Sequence, residues 1–249
     1  MLITPDWPAP ANIRAVSTTR LGGGSLPPYD SFNLATHVGD DTTSVKINRQ
    51  LLKESANLPQ EPLWLSQTHS TDVIRIGRKF SEEQALGERE TPQADASVSS
   101  EPGHICVVMT ADCLPILLTN NQGSQVAAIH AGWRGLADGI IEKVIKQYFR
   151  DEQILAWLGP AISVNNFEVG AEVKDAFVKN DNSSEVHFEK YDQKFKANLY
   201  GIAKDKLKRF GSKVFGGNFC TYAEDDRFFS YRRNSVTGRM ATLIWIDKE

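Results

Sequence analysis

A chain of 249 residues with 41% hydrophobic and 24% charged side chains has the composition of a globular protein able to bury a sizeable core, which excludes a disordered chain. A formal net charge of -3 supplies no basic field for a nucleic-acid backbone or an anionic membrane, and no run reaches the length of about 18 apolar residues needed to cross a bilayer. Three cysteines, with no secretory leader pattern in MLITPDWPAPANIR, point to a cytoplasmic protein without a disulfide framework.

In chain order, IRAVSTTR (13–20) alternates like a strand and runs into GGGSLPPYDS, a loop by its glycines and prolines. SVKINRQLLKESA (44–56) has helical spacing behind a Thr/Ser cap. PLWLSQTH (62–69) and VIRI (73–76) read as strands, and the charged stretch FSEEQALGERETPQ (80–93) as an exposed loop or flap. HICVVMT (104–110), PILLT (115–119) and QVAAIHA (125–131) are near-continuous apolar runs, the pattern of strands buried on both faces. LADGIIEKVIKQYF (136–149) carries a helical stripe through 136, 140, 141, 144, 145, 148 and 149. ILAWLGPAI is a strand ending in a turn; AEVKDAFVK (171–179) and FKANLYGIAKDKLKRF (195–210) are predicted helices, with a short strand around VHFEKY (186–191) between them. MATLIWI (240–246) is a buried closing strand. Consecutive strands with separate helices predict an α+β protein with a mixed sheet or stacked sheets. The even composition predicts a single domain over 1–249.

Of the five histidines, His69 in SQTHS and His130 in IHAGWRG stand at predicted strand ends, where side chains can converge on a cleft while the backbone holds them rigid. Cys113, seventeen residues before His130, completes a trio. A thiolate and two neutral imidazoles suit zinc, and three protein ligands leave a fourth tetrahedral position for water or substrate. Spacing alone does not select this reading, because 44 residues separate His69 from Cys113 and no compact ligand signature is present. The plain alternative is a small buried cysteine and two hydrogen-bonded histidines. Two other chemistries need the same proximity. Cys113 and His130 could act as nucleophile and base, with Asp112 or Asp95 orienting the imidazole. A copper site would use two His, one Cys and a weak Met, with Met109 nearby, but a multicopper oxidase needs more than five imidazoles.

Arginines supply candidate anion contacts. Arg20 in TTRLGGGS adjoins glycines whose N–H groups could cradle an anion, and Arg134 in GWRG lies close to His130 at a helix start. Arg232 and Arg233 in FFSYRRN and Arg239 in TGR add three guanidiniums, whose planar fork suits phosphate or carboxylate. The glycine run matches neither the Walker A nor the dinucleotide fingerprint.

The motifs STTRLGGGS, SFNLATHVGDD, Asn48-Arg49, QTHS, TADCLP, HAGWRG, LGPAI, CTYAEDDRFFSYRRN and TGRMA, in this order from about residue 14 to 244, closely resemble the YfiH/YlmD family. Members have carried the names polyphenol oxidase and multicopper-oxidase-like laccase and are now regarded as purine nucleoside phosphorylases. The resemblance implies one catalytic zinc held by His69, Cys113 and His130. It implies phosphorolysis of adenosine, inosine, guanosine and methylthioadenosine, and hydrolytic deamination of adenosine, with purine nucleosides and inorganic phosphate as partners. It also implies mixed β-sheets packed as a sandwich with flanking helices, in a fold related to cysteine-hydrolase-like toxin domains. That relation keeps open a Cys–His amide hydrolase editing cytosolic peptidoglycan precursors. Arg49, and Asn33 and His37 in SFNLATH, join Arg20, Arg134, Arg232, Arg233 and Arg239 as candidate substrate-binding residues. Cys106, His104 and His187 fall outside the motifs and read as structural or surface residues; Cys220 reads as a buried cleft wall.

Overall fold

The three apolar runs between 104 and 131 become strands β5 (Cys106–Thr110), β6 (Leu114–Asn120) and β7 (Val126–Ala131), buried along their whole lengths in a computed structural model that describes residues 1–78 and 91–248. Residues 80–90 of the stretch expected to be a loop or flap lie outside the described residues. Among the described residues the strands form three sheets. The largest has the order β12 (Lys213–Gly216), β8 (Ile154–Leu158), β6, β7, β4 (Ala96–Ser99), β3 (Val73–Arg75), antiparallel at its centre and closed at each edge by a parallel pair. The second is antiparallel, in the order β1 (Leu2–Ile3), β2 (Ile13–Thr18), β13 (Met240–Ile246), β5. A small antiparallel sheet joins β10 (Phe188–Tyr191), β11 (Lys194–Ala197) and β9 (Glu168–Val169).

Strand alternation explains the layering. Cys106, Val108, Ile244 and Ile246 of the second sheet share one apolar layer with Leu117, Ala128 and Trp157 of the largest, so the two sheets stack. Residues of opposite parity, including Leu114, Ile116, Leu118, Ala127 and Ile129, face helices α3 (Ile140–Tyr148), α4 (Ala171–Asn180) and α5 (Leu199–Lys208). On the far side, Val107, Leu243 and Trp245 are covered by Leu52 of α1 (Thr42–Ser55) with Phe32 and Leu34. Each such side chain, fully buried, contributes roughly 1.5–3 kcal/mol, which is why these faces fix the architecture. The result is an α+β sandwich of mixed sheets with flanking helices, as expected. Among the described residues no helix is long and apolar enough to cross a membrane.

Four local expectations are corrected. Helix α1 starts before Ser44 because the Asp41 carboxylate accepts the Ser44 N–H, a cap that also places negative charge at the helix N-terminus. Residues 62–69 form no strand: beyond one isolated bridge from Ser66 to Gln93, the N–H groups of Thr68, His69 and Ser70 all go to the Asp95 carboxylate instead of a ladder. The stripe at 136–149 is two helices, α2 (Trp133–Ala137) and α3, separated where Gly139 takes φ +88°. The first residues of 195–210 belong to β11, and α5 begins only after Asn198, whose side chain accepts the Gly201 N–H.

Candidate functional site

The pairing of β6 with β7 sets Leu114 opposite Ala131 and Pro115 opposite His130, so Cys113, one residue before β6, and His130, near the end of β7, meet at one end of the sheet. His69 arrives from the irregular 66–72 segment with φ +61°, a left-handed backbone held by Asp95. That carboxylate accepts from the backbone of Thr68 at 3.1 Å, His69 at 3.0 Å and Ser70 at 2.7 Å, and from Ser70 Oγ at 2.9 Å. Its Oδ1 also lies 2.7 Å from His130 Nδ1, while the Asp95 carbonyl accepts the His130 N–H at 2.7 Å. One buried acid thus aligns both histidines.

Cys113 Sγ stands 3.8 Å from His69 Nε2, and the candidate ligand atoms of His69, Cys113 and His130 lie within 4.8 Å of one another. Gly132 makes the approach possible: a Cβ there would sit 2.7 Å from His69 Cδ2 and 3.2 Å from Cys113 Sγ. Burial opposes charge on Cys113, but the imidazoles of His130 and His69 outweigh it and bring the thiol down to about 6. Burial likewise opposes the His130 cation, but Cys113 and Asp95 outweigh it and hold that imidazole up at about 9. Burial also works against the Asp95 carboxylate, yet His130 and Ser70 bring it down to about 2. Two imidazole nitrogens and a thiol inclined to ionise could hold one metal ion, and a carboxylate on a histidine, as Asp95 is on His130, is the pairing that orients metal-binding imidazoles in general.

The trio lines a cleft of about 450 Å³ whose walls include Trp133, Phe167, Leu199 and Tyr231. His37, Arg134, Arg232 and Arg239, four of the eight other candidates, line it too. Arg134 lies over Trp133, 4.4 Å from the ring centroid; Arg232 donates from Nη1 to the Glu168 carbonyl at 2.7 Å and lies over Phe167. Arg239 donates from Nη1 to the carbonyls of Thr237 and Gly238. Burial, then Arg239 and Arg49, lower the pKa of His37 and favour its neutral ring.

The other four support the cleft from outside its lining. Arg20 bonds the carbonyls of Asp30 and Asp225 and pairs with the Asp30 carboxylate at 3.0 Å. The adjacent glycine N–H groups do not form the expected anion cradle, because Gly22 and Gly23 donate to Ser31 Oγ and Gly24 to Asn48 Oδ1. Arg49 donates to the Leu34 carbonyl and stacks over Trp64 at 3.9 Å. Arg233 is spent on the carbonyls of Thr221, Tyr222 and Phe228. Buried Asn33 accepts the Arg239 N–H at 2.9 Å and so places that arginine's backbone.

Between the two acids considered for orienting His130, the structure selects Asp95. The aromatic walls add residues beyond the sequence candidates: Trp133 and Tyr231 stand inside HAGWRG and FFSYRRN, whereas Phe167 carries no local signal. Cys106 is enclosed, and burial pushes its thiol up to about 12; His187 pairs with Asp205 at 2.8 Å. Cys220 bonds Ser163 Oγ at 3.0 Å and does not line this cleft.

Residues 14–247 match the family described as multi-copper polyphenol oxidoreductase laccase. The chain is 47% identical over 248 residues to purine nucleoside phosphorylase YfiH of Escherichia coli (strain K12), covering 98% of each chain. It is 48% identical over 251 residues to a purine nucleoside phosphorylase of Haemophilus influenzae, covering 98% of this chain and 99% of that one. Among solved structures, a Neisseria meningitidis protein superposes with a TM-score of 0.89 at 46% identity over 99% of both chains. YlmD from Geobacillus stearothermophilus superposes with a TM-score of 0.88 at 26% identity, over 99% of this chain and 96% of that one.

Proposed function

The chain belongs to the YfiH family of multi-copper polyphenol oxidoreductase laccase proteins, and from that premise we propose that it is a cytoplasmic purine nucleoside phosphorylase holding one zinc through His69, Cys113 and His130. The observation that carries this reading is the convergence of that trio, three arginines and three aromatic rings on one cleft of about 450 Å³. The volume lies in the range of small-molecule sites, roughly 300–1,000 Å³. Trp133, Phe167 and Tyr231 offer flat apolar surface to a purine, and Arg134, Arg232 and Arg239 offer guanidiniums to a phosphate dianion.

In phosphorolysis a phosphate oxygen bonds to C1′ of the sugar as the glycosidic C–N bond breaks, through a transition state with oxocarbenium character. The arginines bind the incoming phosphate and neutralise its charge, and Arg232 is held for this by its bond to the Glu168 carbonyl. Asp95 keeps His130 in the tautomer that leaves Nε2 for ligation. A zinc held by His69, Cys113 and His130 would supply a Lewis acid in the cleft. The proposed substrates are adenosine, inosine, guanosine and methylthioadenosine, with hydrolytic deamination of adenosine as a second activity of the same cleft.

The second reading, ranked below this one, is a thiol amide hydrolase acting on peptidoglycan precursors, with a fold related to cysteine-hydrolase-like toxins; it would use Cys113 as nucleophile and His130, paired with Asp95, as base. A copper-dependent polyphenol oxidase ranks below both, because only five histidines are available. Release of hypoxanthine from inosine by purified protein, with and without inorganic phosphate, tests the leading reading. Turnover that requires phosphate supports it. No hypoxanthine release, together with hydrolysis of an amide substrate that survives chelation and dies on alkylation of Cys113, would replace it with the thiol hydrolase.

A further inference from the structure

Arg232 lies in the 217–239 connection between β12 and β13, a stretch with neither helix nor strand to hold it. Backbone bonds such as Thr221 N–H to the Ala161 carbonyl and Asn234 N–H to the Ser230 carbonyl order part of it, and the carboxylate of one acid adds three more bonds. Asp112, buried in the cleft wall one residue before Cys113, accepts Thr221 Oγ1 on Oδ1 at 2.7 Å. Its Oδ2 accepts Ser230 Oγ at 3.0 Å and the Arg232 N–H at 2.6 Å. Its carbonyl accepts the Ile162 N–H at 3.0 Å, tying in the turn after β8. With Nη1 of Arg232 on the Glu168 carbonyl at 2.7 Å, that arginine is anchored at both its backbone and its guanidinium.

We propose that Asp112 is a positioning residue: it locks the Arg232 segment to the strand entry that carries Cys113, so that the anion-binding guanidinium and the His–Cys–His cluster face one substrate. The proposal rests on the phosphorylase reading of the cleft and adds to it how the phosphate side is registered against the metal side. Asp112 makes no bond to His130, which Asp95 already holds, so its role is distinct from tautomer control. Its φ of +87° is a conformation that glycine adopts freely.

The test uses two substitutions. Asp112→Gly suits the backbone and removes the link. Asp112→Asn preserves it, since the amide oxygen can accept from Ser230 and Arg232 while the amide nitrogen donates to the Thr221 hydroxyl. In zinc-loaded protein, Asp112→Gly is expected to raise KM for phosphate about tenfold or more and leave kcat within about threefold, the size of effect expected when a bond to a charged group is lost. Amide exchange at Ser230 to Arg233 should rise while exchange in β6 and β7 and the zinc content stay as in wild type. Asp112→Asn should restore KM and exchange to near wild-type values.

Unchanged KM and unchanged exchange in Asp112→Gly would overturn the proposal, as would a fall in kcat at constant KM. If that variant fails to fold, the double change Thr221→Val with Ser230→Ala removes two of the three donors and must shift KM and exchange in the same direction, or the proposal fails. Wild-type protein without phosphorolysis would sink the phosphorylase reading instead, and the exchange pattern would then decide the Asp112 link by itself.

Discussion

His130 Nδ1 and Asp95 Oδ1 are 2.7 Å apart at a point where the same carboxylate also gathers the backbone N–H groups of Thr68, His69 and Ser70. Asp95 therefore connects two candidate ligand positions 61 residues apart in sequence, one through its ring and the other through its main chain.

Replacing Asp95 with Asn should weaken both connections. An amide nitrogen would face N–H donors that the carboxylate now satisfies, and His130 would lose the charge that fixes its tautomer. Zinc affinity, read by competition with a chromophoric chelator, is expected to fall about 10–100-fold. Affinity equal to wild type would show that Asp95 does not orient the site.

Gly132→Ala is a test of space rather than charge. The added methyl would meet His69 Cδ2 at 2.7 Å and Cys113 Sγ at 3.2 Å, displacing the ring and the thiol while the sheet behind them keeps its packing. The variant should melt within a few degrees of metal-free wild type, a shift of about 1 kcal/mol or less for a chain of this size, yet retain no zinc after desalting. Full zinc occupancy would mean that His69 is not a ligand in this geometry.

Cys113 should report the metal directly. Its neighbours favour the thiolate, so chelated protein treated with iodoacetamide at neutral pH should be alkylated at Cys113, and zinc-loaded protein should be protected there. Cys106, buried in the layer between the two large sheets, should stay unmodified in both states. Peptide mapping of the alkylated chain distinguishes the sites. Equal modification of Cys113 with and without zinc would remove it from the ligand set.

Much of the sandwich was legible because buried strands declare themselves. The runs at 104–110, 115–119 and 125–131 are apolar on both parities, and the structure buries both their faces. Strand β4 was silent: ASVS is too short and polar to stand out, although it lies beside β7 and follows Asp95. PLWLSQTH misled for the opposite reason, since its pattern is strand-like but a distant carboxylate captures its N–H groups. Motif resemblance, not spacing, marks the His–Cys–His trio in the sequence, because its members meet only when β6 and β7 pair and the 66–72 segment folds onto Asp95. Arginine roles were the least legible. Arg20, Arg49 and Arg233 look like Arg232 and Arg239 in one dimension; all five guanidiniums donate to backbone carbonyls, and only the fold shows that the last two line the cleft.

Nucleoside turnover is expected to depend on a metal held by His69, Cys113 and His130. The most direct measurement is a titration of chelated protein with zinc, following phosphate-dependent hypoxanthine release from inosine, alongside the same titration of His130→Ala. Activity that returns linearly and saturates at one zinc per chain, with none in the variant, is the predicted result. Full phosphorolysis by zinc-free protein, or by His130→Ala, would contradict it.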